Sequence, residues 1–492
     1  MFMLFLGVAC AKPIQYETEV RVYKSVNDTQ IEVGGDNTPF VTLARGEEAD
    51  EMLKTYKILT GDRVNIWLDD ETGEVYDYYF DRNESGLLGD AMATTNISAT
   101  VYIIDTCNFT MPVKTPEDLL PLLFNTSQTR QDDNIQDYYK VCSYGKISWH
   151  PNNVEIIGPI KVNCSGNVTS GILSYNYDGR NKCGSAEQFA WRVFGDLVAK
   201  EIAKKNNTQR GRKVSRILAA RNRRILMYLP REVKCGWAGL GSVGCTGPSC
   251  QSFIKGDSGY DNSVVFHELG HNLGLSHTGR GLDEYGDQTD VMGDSGNKYV
   301  KKPLCFNVAS MFRIGLDKAV VNFTSDDFDV TANHKQVTIP ATSLSDTNYA
   351  YVNLGRLNGT FQKLLPNYFI SYRVTQGQYD GGLPSKYNKK VFVHAFNGSA
   401  TQRDYNRSQF IDFGVPFSSK TNIWTSPFVP LRRDGHGGGL RVTVLTQTDE
   451  AVTVDICKMY SEKEMCTMNL DLDCDNVYGR DDPDCTPGVA VI

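Results

Sequence analysis

Apolar and polar residues alternate with a period of two through much of residues 12–95, for example along Arg63–Leu68. Successive side chains of a strand point to opposite faces, whereas a helical face repeats about every 3.6 residues. Glycine, asparagine and aspartate separate the alternating runs, as turns require. The pattern therefore predicts a small β-rich region over residues 12–95.

Strand and helix patterns alternate in residues 96–318. Thr100–Ile104 and Ile225–Leu229 are short apolar runs typical of buried strands. Ser185–Lys204 and Asn262–Gly274 predict helices. The first helix has an apolar stripe made of Phe189, Val193, Phe194, Leu197 and Val198. This order favours an α/β domain whose cleft lies beside the second helix.

Short alternating runs return in residues 319–456, as in Gln336–Ile339, Tyr368–Tyr372 and Leu440–Val444. Such runs, separated by turn residues, are typical of an antiparallel β-sandwich, which could dock substrate or only support the preceding domain. Residues 457–492 form a cysteine-rich, acidic tail. A chain of 492 residues exceeds what one core usually organises, so the fold class predicted is multidomain α+β.

The second predicted helix carries the candidate chemistry. His267 and His271 are four residues apart, so both can face one metal ion, and imidazoles suit zinc. Glu268 suits a general base acting on the zinc-bound water, because a fourth protein ligand would close the site. Gly274 lets the helix end, and the chain can then bring His277 back to the metal.

A structural zinc site is the alternative. Closed structural sites usually take four ligands rich in cysteine, and no Cys-x-x-Cys lies near His267–His277. Three histidines leave a coordination position open, as catalytic zinc requires. The motif therefore favours zinc-dependent hydrolysis of peptide bonds, with Glu268 later returning its proton to the departing amine.

A methionine follows the third histidine in a stretch rich in glycine and aspartate, and Asp290–Gly293 suits a tight turn. HExxHxxGxxH followed by a methionine turn resembles the metzincin clan of zinc peptidases. The resemblance implies a metzincin-type α/β catalytic domain over residues 96–318. It also implies that Met292 supports the imidazoles without binding the metal, and that the substrate strand adds to an exposed sheet edge.

A longer resemblance, from about Ala99 to Cys457, is to the gametolysin-like peptidases of family M11. It is carried by Asp105–Asn108, Tyr139–Tyr144, Cys183–Gln188, Cys235–Leu240, Glu284–Asp287 and Cys305–Asn307. The resemblance implies substrates among extracellular or cell-wall glycoproteins. Astacin-like enzymes place a tyrosine two residues after the turn methionine, but this chain has Asp294 there. A transition-state donor must come from elsewhere, and Tyr285 is a candidate.

The charge and hydropathy of the chain limit the classes of partner that we expect. A formal net charge of −7 is mild for this length and gives no reason to expect nucleic acid or an anionic membrane as partner. Residues 1–11 are apolar and end in small residues, as at a signal-peptidase site. No later stretch approaches the ~20 apolar residues of a membrane span, so we expect no integral membrane segment after cleavage.

Cysteine and sequon counts point to the secretory pathway. Of thirteen cysteines, twelve remain once Cys10 leaves with the leader, and an even set suits six disulfides. Asn-x-Ser/Thr occurs twelve times, at Asn27, Asn83, Asn96, Asn108, Asn125, Asn163, Asn167, Asn206, Asn322, Asn358, Asn397 and Asn406. We therefore expect a secreted glycoprotein.

The acidic tail contains a candidate Ca²⁺ loop. Asp471, Asp473 and Asp475 stand at positions 1, 3 and 5, and Asp482 stands at position 12. Asn476 replaces the usual glycine, and an aspartate replaces the usual glutamate at the last position. A disulfide-stapled acidic tail without an ion is the alternative interpretation.

The position of residues 12–95 before the catalytic region suggests a propeptide of a zymogen, with a permanent accessory domain as the alternative. The stretch contains no cysteine, which excludes a cysteine switch. Taken together, the sequence predicts a secreted zinc metalloendopeptidase with His267, His271 and His277 as ligands. The alternative from another class is an inert secreted glycoprotein that binds a surface or matrix ligand through its β-sandwich.

Overall fold

The protein is described here by a computed structural model. The structure describes residues 14–25, 28–35, 38–56, 58–68, 75–80, 95–125, 133–170, 173–221, 223–245, 247–294, 303–355, 365–398, 409–415, 422–431, 433, 435–464 and 469–483. The predicted leader at residues 1–11 and the residues Cys10, Cys466, Cys485, Asn27, Asn83, Asn358 and Asn406 lie outside these ranges.

Helices and strands both occur, as the sequence predicts for a mixed fold. The helices are α1 (Gly46–Tyr56), α2 (Pro116–Leu123), α3 (Ile135–Cys142), α4 (Ser185–Lys204), α5 (Gln209–Leu218), α6 (Asn262–Asn272) and α7 (Val308–Arg313). The strands are β1 (Ile14–Ser25), β2 (Asp28–Gly35), β3 (Thr38–Arg45), β4 (Arg63–Leu68), β5 (Val75–Phe80), β6 (Thr95–Thr106), β7 (Ile147–Val162), β8 (Ser165–Ser170), β9 (Leu173–Asp178), β10 (Arg223–Leu229), β11 (Gly239–Ser242), β12 (Ser249–Lys255), β13 (Lys318–Thr324), β14 (His334–Pro340), β15 (Thr347–Asn353), β16 (Tyr368–Arg373), β17 (Lys390–Ala395), β18 (Gln409–Val415), β19 (Ile423–Thr425), β20 (Gly439–Gln447) and β21 (Ala451–Met459).

The described chain forms two compact units. One comprises the residues up to Asp137 together with Ile147–Leu275, and the other comprises Tyr138–Lys146 together with the residues from Ser276 onward. Among the described residues, no helix is both long and apolar enough to cross a membrane.

One large sheet runs through the first unit, in the order β3-β2-β1-β11-β12-β10-β6-β7, and β4 and β5 extend from β1. β6, β7, β10 and β12 pair in parallel, and helices lie in the connections from β6 to β7 and from β7 to β10. β11 runs antiparallel to β12 on one side and to β1 on the other. The N-terminal strands and the strands after Thr95 therefore belong to the same sheet.

The core residues of the first unit show how closely these strands are joined. Tyr23 of β1 is 1% exposed and belongs to the same buried cluster as Met227 and Phe253. Conversely, Val243, which follows β11, belongs to the cluster of the N-terminal strands together with Val20. Each cluster contains a residue from the other part of the chain, so neither is complete alone.

α4 has the predicted bounds, and Phe189, Val193 and Phe194 of the predicted stripe pack in or against the core, but the rest of the stripe does not. Leu197 and Val198 are 50% and 36% exposed, whereas Trp191 and Asp196 are buried. The reason is Gly195, because a Cβ there would clash with the ring of Tyr102. Close packing at this glycine turns the face with Asp196 toward the sheet, where the Tyr102 hydroxyl donates to its carboxylate at 2.7 Å.

The second unit contains two sheets, β13-β15-β16-β17-β18 and β14-β21-β20-β19. One apolar cluster includes Val352 and Ile370 from the first sheet and Val442 and Val454 from the second. All pairs are antiparallel except β13 with β15, which is parallel. The expectation of purely antiparallel pairing is wrong at this strand, because β13 and β15 are not consecutive and β14 pairs in the other sheet.

Disulfides link ten of the cysteines. They are Cys107–Cys164, Cys142–Cys305, Cys183–Cys235, Cys245–Cys250 and Cys457–Cys474. Every described cysteine is therefore paired, as the even count predicts, although the sequence did not reveal the partners. Long loops closed in this way restrict the unfolded chain and stabilise the fold.

Candidate metal centre

Helix α6 begins at Asn262, as predicted, and ends at Asn272, two residues before the predicted end at Gly274. The side chain of Asp261 accepts a hydrogen bond from the N–H of Ser263 at 2.9 Å and caps the first turn. At the other end Gly274 has a φ of 90°, which favours glycine, and its N–H donates to the carbonyl of His271 at 2.8 Å. The chain therefore leaves the helix three residues before His277.

The two histidines of the helix face the same side. The ring centroids of His267 and His271 are 4.9 Å apart, and the rings are nearly perpendicular. Nδ1 of His271 lies 2.8 Å from the carbonyl oxygen of Leu275. A carbonyl only accepts, so this nitrogen carries the proton, and Nε2 keeps the lone pair that a metal needs.

His277 is fully buried and has a carboxylate partner. Its Nδ1 lies 2.7 Å from Oε1 of Glu284. The contact orients the imidazole and makes its other nitrogen more basic. Its Nε2 faces the hydroxyl of Tyr285 at 2.9 Å. Sequence reasoning assigned no role to Glu284, and its only signal was a place in the family segment Glu284–Asp287.

The structure brings the three candidate ligands together. His267, His271 and His277 belong to one continuous segment, and each offers a ring nitrogen within 4.8 Å of the others. Two of the three imidazoles also have a partner that fixes the proton on Nδ1. Three imidazoles with ring nitrogens this close together, two of them oriented through Nδ1, form a donor set that suits catalytic zinc.

Glu268 lies against β11, where two glycines make room for it. A Cβ on Gly241 would lie 2.6 Å from the carbonyl oxygen of Glu268 and 2.9 Å from Oε2, and a Cβ on Gly239 would also clash with this side chain. Any larger residue at these positions would push the strand away from α6. The sequence signal was the alternation Gly239-Leu240-Gly241, which leaves one face of the strand without side chains.

The carboxyl group of Glu268 is poorly satisfied without a bound ion. The residue is 5% exposed, and burial raises the pKa of its carboxyl well above the usual range, partly offset by the Gly241 backbone. Oε2 is buried and has no hydrogen-bond partner in the described part of the chain. A buried oxygen of this kind, on the helix that carries two of the imidazoles, fits a zinc site with its water.

The methionine turn is held by its own backbone. The N–H of Gly293 donates to the carbonyl of Asp290 at 3.0 Å, and Oδ1 of Asp290 accepts from the N–H of Met292 at 2.6 Å. The carbonyl of Met292 accepts from the N–H of Thr278 at 3.0 Å, one residue after His277. Met292 is fully buried. The turn therefore lies beside the third histidine.

The pKa values of two buried carboxyl groups, those of Asp287 and Asp290, are shifted in opposite directions. Burial favours the neutral form of Asp287, but hydrogen bonds and charge from His394, with hydrogen bonds from Thr289, outweigh it and hold its pKa below the usual range. Burial and the nearby Asp287 raise the pKa of Asp290 to about 7. Both accept hydrogen bonds from Asn307. Sequence reasoning missed this pair, since the partners come from α7 and β17.

Comparison with known proteins places the chain in a peptidase family. A family model described as gametolysin peptidase M11 matches residues 96–425, about two thirds of the chain. The chain belongs to this peptidase family, which confirms the resemblance drawn from its motifs. A relative named autolysin, from Chlamydomonas reinhardtii, is 32% identical over an alignment that covers 91% of this chain and 85% of the relative.

Proposed function

We propose that this chain is a secreted zinc metalloendopeptidase that hydrolyses peptide bonds in extracellular or cell-wall proteins and glycoproteins. The observation that carries the proposal is the cluster of His267, His271 and His277, together with the buried, unpartnered oxygen of Glu268 on the helix that bears two of these histidines. Membership of a peptidase family supports the reaction type. The substrate class is what the gametolysin resemblance implies.

The residues divide the chemistry between them. His267, His271 and His277 would hold zinc, which supplies Lewis acidity by lowering the pKa of water and polarising a carbonyl oxygen. Glu268 takes the proton of the attacking water and later gives it to the departing amine. Met292 supports the imidazoles from the adjacent turn.

Tyr285 is the candidate donor to the oxyanion. Its hydroxyl lies 2.9 Å from the nitrogen of His277 that would face the metal, so it would border the metal and any carbonyl oxygen that the metal polarises. The backbone keeps it there, because the carbonyl of Tyr285 accepts a hydrogen bond from the N–H of Asp294 at 2.9 Å. A phenol placed in this way stabilises negative charge that develops on the carbonyl oxygen.

We also infer the finer architecture. Residues 96–318 are assigned as a metzincin-type catalytic domain, in which β11 is the strand that a substrate would join. The two sheets that share one apolar cluster are assigned as the β-sandwich of residues 319–456. Because β21 extends to Met459, the C-terminal tail, expected to begin at Cys457, follows that strand.

The N-terminal region is proposed to keep the enzyme latent. β1 pairs with β11 through Tyr23 opposite Ser242 and Lys24 opposite Gly241, and the N–H of Val243 donates to the carbonyl of Val22 at 2.7 Å. These contacts use the edge of β11 that substrate addition would need. Residues 12–95 would therefore block the cleft by strand pairing, which needs no cysteine.

Surface features support the secretory route. Eight sequon asparagines lie in the described ranges, and all are exposed: Asn96, Asn108, Asn125, Asn163, Asn167, Asn206, Asn322 and Asn397. The five disulfides suit an oxidising compartment. Glycan acceptors must be reachable from solvent, so this exposure agrees with the proposed glycoprotein.

Hydrolysis by the purified protein tests the proposal. Casein, gelatin and an extracted cell-wall glycoprotein are incubated with the protein, with protein treated with 1,10-phenanthroline, and with treated protein resupplied with zinc. Cleavage that disappears with the chelator and returns with zinc is the expected result. A folded protein that binds zinc and cleaves none of these substrates, even after its N-terminal region is nicked, would favour the inert binding protein instead.

A further inference from the structure

The acidic tail folds into a loop whose carboxylates converge. Carboxylate oxygens of Glu464, Asp471 and Asp473 lie within 4.8 Å of one another, and so do those of Asp473, Asp475 and Asp482. Asp473 is common to both groups, so five carboxylates surround one small region. Asp471, Asp473 and Asp482 are all buried, and Nε2 of His334 lies 2.9 Å from Oδ2 of Asp471. One imidazolium offsets only one of these charges, so the cluster is costly without a further cation.

Glu464 is an observation independent of the loop motif. It lies seven residues before Asp471 in the sequence, and it is only 1% exposed. One of its oxygens accepts a hydrogen bond from the N–H of Leu472. Its other oxygen, Oε2, is buried and has no hydrogen-bond partner in the described part of the chain. A buried carboxylate oxygen left in this way needs a cation or a proton.

We propose that Glu464, Asp471, Asp473, Asp475 and Asp482 form a calcium site. The donors are all oxygens, which hard cations prefer, and there is neither a histidine nor a free thiol among them. Calcium accepts six to eight oxygens in an adaptable geometry, whereas magnesium demands a near-ideal octahedron and keeps several waters. A loop with this many carboxylates therefore favours calcium.

The loop geometry removes two objections raised by the sequence. Asn476 stands where such loops have glycine, and it adopts the required left-handed backbone with a φ of 67°, a conformation asparagine tolerates. Asp471 accepts from the N–H groups of Asp475 and Asn476 at 3.0 and 2.8 Å, which closes the turn. The short Asp482 at the last position is complemented by Glu464, which brings a longer side chain from outside the loop.

The calcium site would attach the acidic tail to the strands of the second unit. Asn333, next to β14, donates through Nδ2 to the carbonyl of Asp471 at 2.6 Å and to that of Lys458 at 3.2 Å. The disulfide Cys457–Cys474 joins the same loop to β21. A bound ion would complete these attachments, so calcium should stabilise the second unit without taking part in peptide hydrolysis.

Titration of the full-length protein tests the site. Protein stripped with EGTA and resupplied with zinc is titrated with CaCl₂ in a calorimeter, and its thermal unfolding is followed at each concentration. The variants are Glu464→Gln and Asp473→Asn. Asp481→Asn is the matched control, because Asp481 is exposed in the same loop and loses the same charge.

We expect one equivalent of calcium to bind, with a dissociation constant of about 1 mM or lower, and the unfolding temperature to rise with it. Asp473→Asn should abolish binding, Glu464→Gln should weaken it about tenfold or more, and Asp481→Asn should behave like wild type. No calcium binding by folded wild-type protein would overturn the site, leaving a disulfide-stapled tail. Equal binding by all three variants would overturn it as well. Neither outcome bears on the peptidase assignment.

Discussion

The hydroxyl of Tyr285 lies 2.9 Å from Nε2 of His277, and their ring centroids are 4.1 Å apart. The phenol thus reaches the one nitrogen of this imidazole that Glu284 does not use. Under the proposed mechanism, Tyr285 would be the donor to the transition state. It lies in the loop between the third histidine and the methionine turn, whereas the position two residues after Met292 holds Asp294.

Replacing Tyr285 with phenylalanine should slow hydrolysis about 100-fold, because one donor to the oxyanion is lost. The effect should fall on kcat more than on KM, and zinc content should stay at wild-type level. Tyr260→Phe is the control, since that hydroxyl is bonded to the carbonyl of Pro112. A Tyr285→Phe enzyme with unchanged kcat would leave Tyr285 as a packing partner of His277 only.

Glu268→Gln and His271→Ala should fail in different ways. The glutamine variant cannot accept a proton, so it should keep zinc and lose nearly all activity. The alanine variant removes a ligand and should lose both zinc and activity. Metal analysis of each folded variant beside a peptide-cleavage assay separates the cases. Near-normal turnover by Glu268→Gln would contradict its role as the base.

The zinc-binding helix and its histidines could be predicted because the sequence features that define them lie close together in the chain. Asp261, Gly274 and the histidine spacing lie within one helix and its ends, where capping and periodicity act over a few residues. Glu284 and Asp287 gain their partners through tertiary packing, so sequence spacing alone could not assign them.

The features of the fold that the sequence did not predict depend on contacts between residues far apart in the chain. The buried face of α4 depends on the contact between Gly195 and Tyr102, which no helical periodicity contains. Disulfide partners and the pairing of β1 with β11 likewise depend on residues far apart in the chain. The alternation of residues 12–95 indicated strands correctly, but it could not identify the strand that β1 would join.

Loosening β1 tests latency without truncating the chain. Tyr23→Ala removes a buried ring that packs 6.4 Å from that of Phe253, so β1 should release β11 more often and raise kcat/KM for a short peptide. Leu53→Ala is the control, because Leu53 is a buried residue of α1 that belongs to the N-terminal cluster and not to the cluster that contains Tyr23 and Phe253. If both folded variants cleave the peptide at the wild-type rate, the region is an accessory domain.

Asp287→Asn should show a pH-dependent loss of stability. The pKa of Asp287 is held below its ordinary value of 3.8 by His394 and Thr289, so its ionised form stabilises the native protein above that pH. The variant should lose about 1–3 kcal/mol at pH 7, and the difference from wild type should shrink as the pH falls below 3.8. Thermal unfolding at pH 7 and pH 3 measures this, with the exposed Asp326→Asn as control. A pH-independent difference would contradict the assignment.

The purified protein should contain few free thiols and should carry glycans. Thiol titration in denaturant without reductant should find the ten cysteines of the five disulfides unreactive. Glycosidase treatment should lower the mass, because the described sequons are exposed. Abundant thiols together with an unchanged mass would contradict the secretory assignment.

The pairing of β1 with β11 also constrains how the protein is made. The ribosome releases Tyr23 long before Gly239–Ser242, yet the cluster that contains Tyr23 needs Phe253, and the N-terminal cluster needs Val243. Until β11 has been synthesised, the N-terminal strands cannot bury all of their apolar surface, and such exposed surface promotes aggregation. A nascent chain arrested before Gly239 should therefore depend on chaperones, and its N-terminal segment should become protease-resistant only after synthesis passes β12.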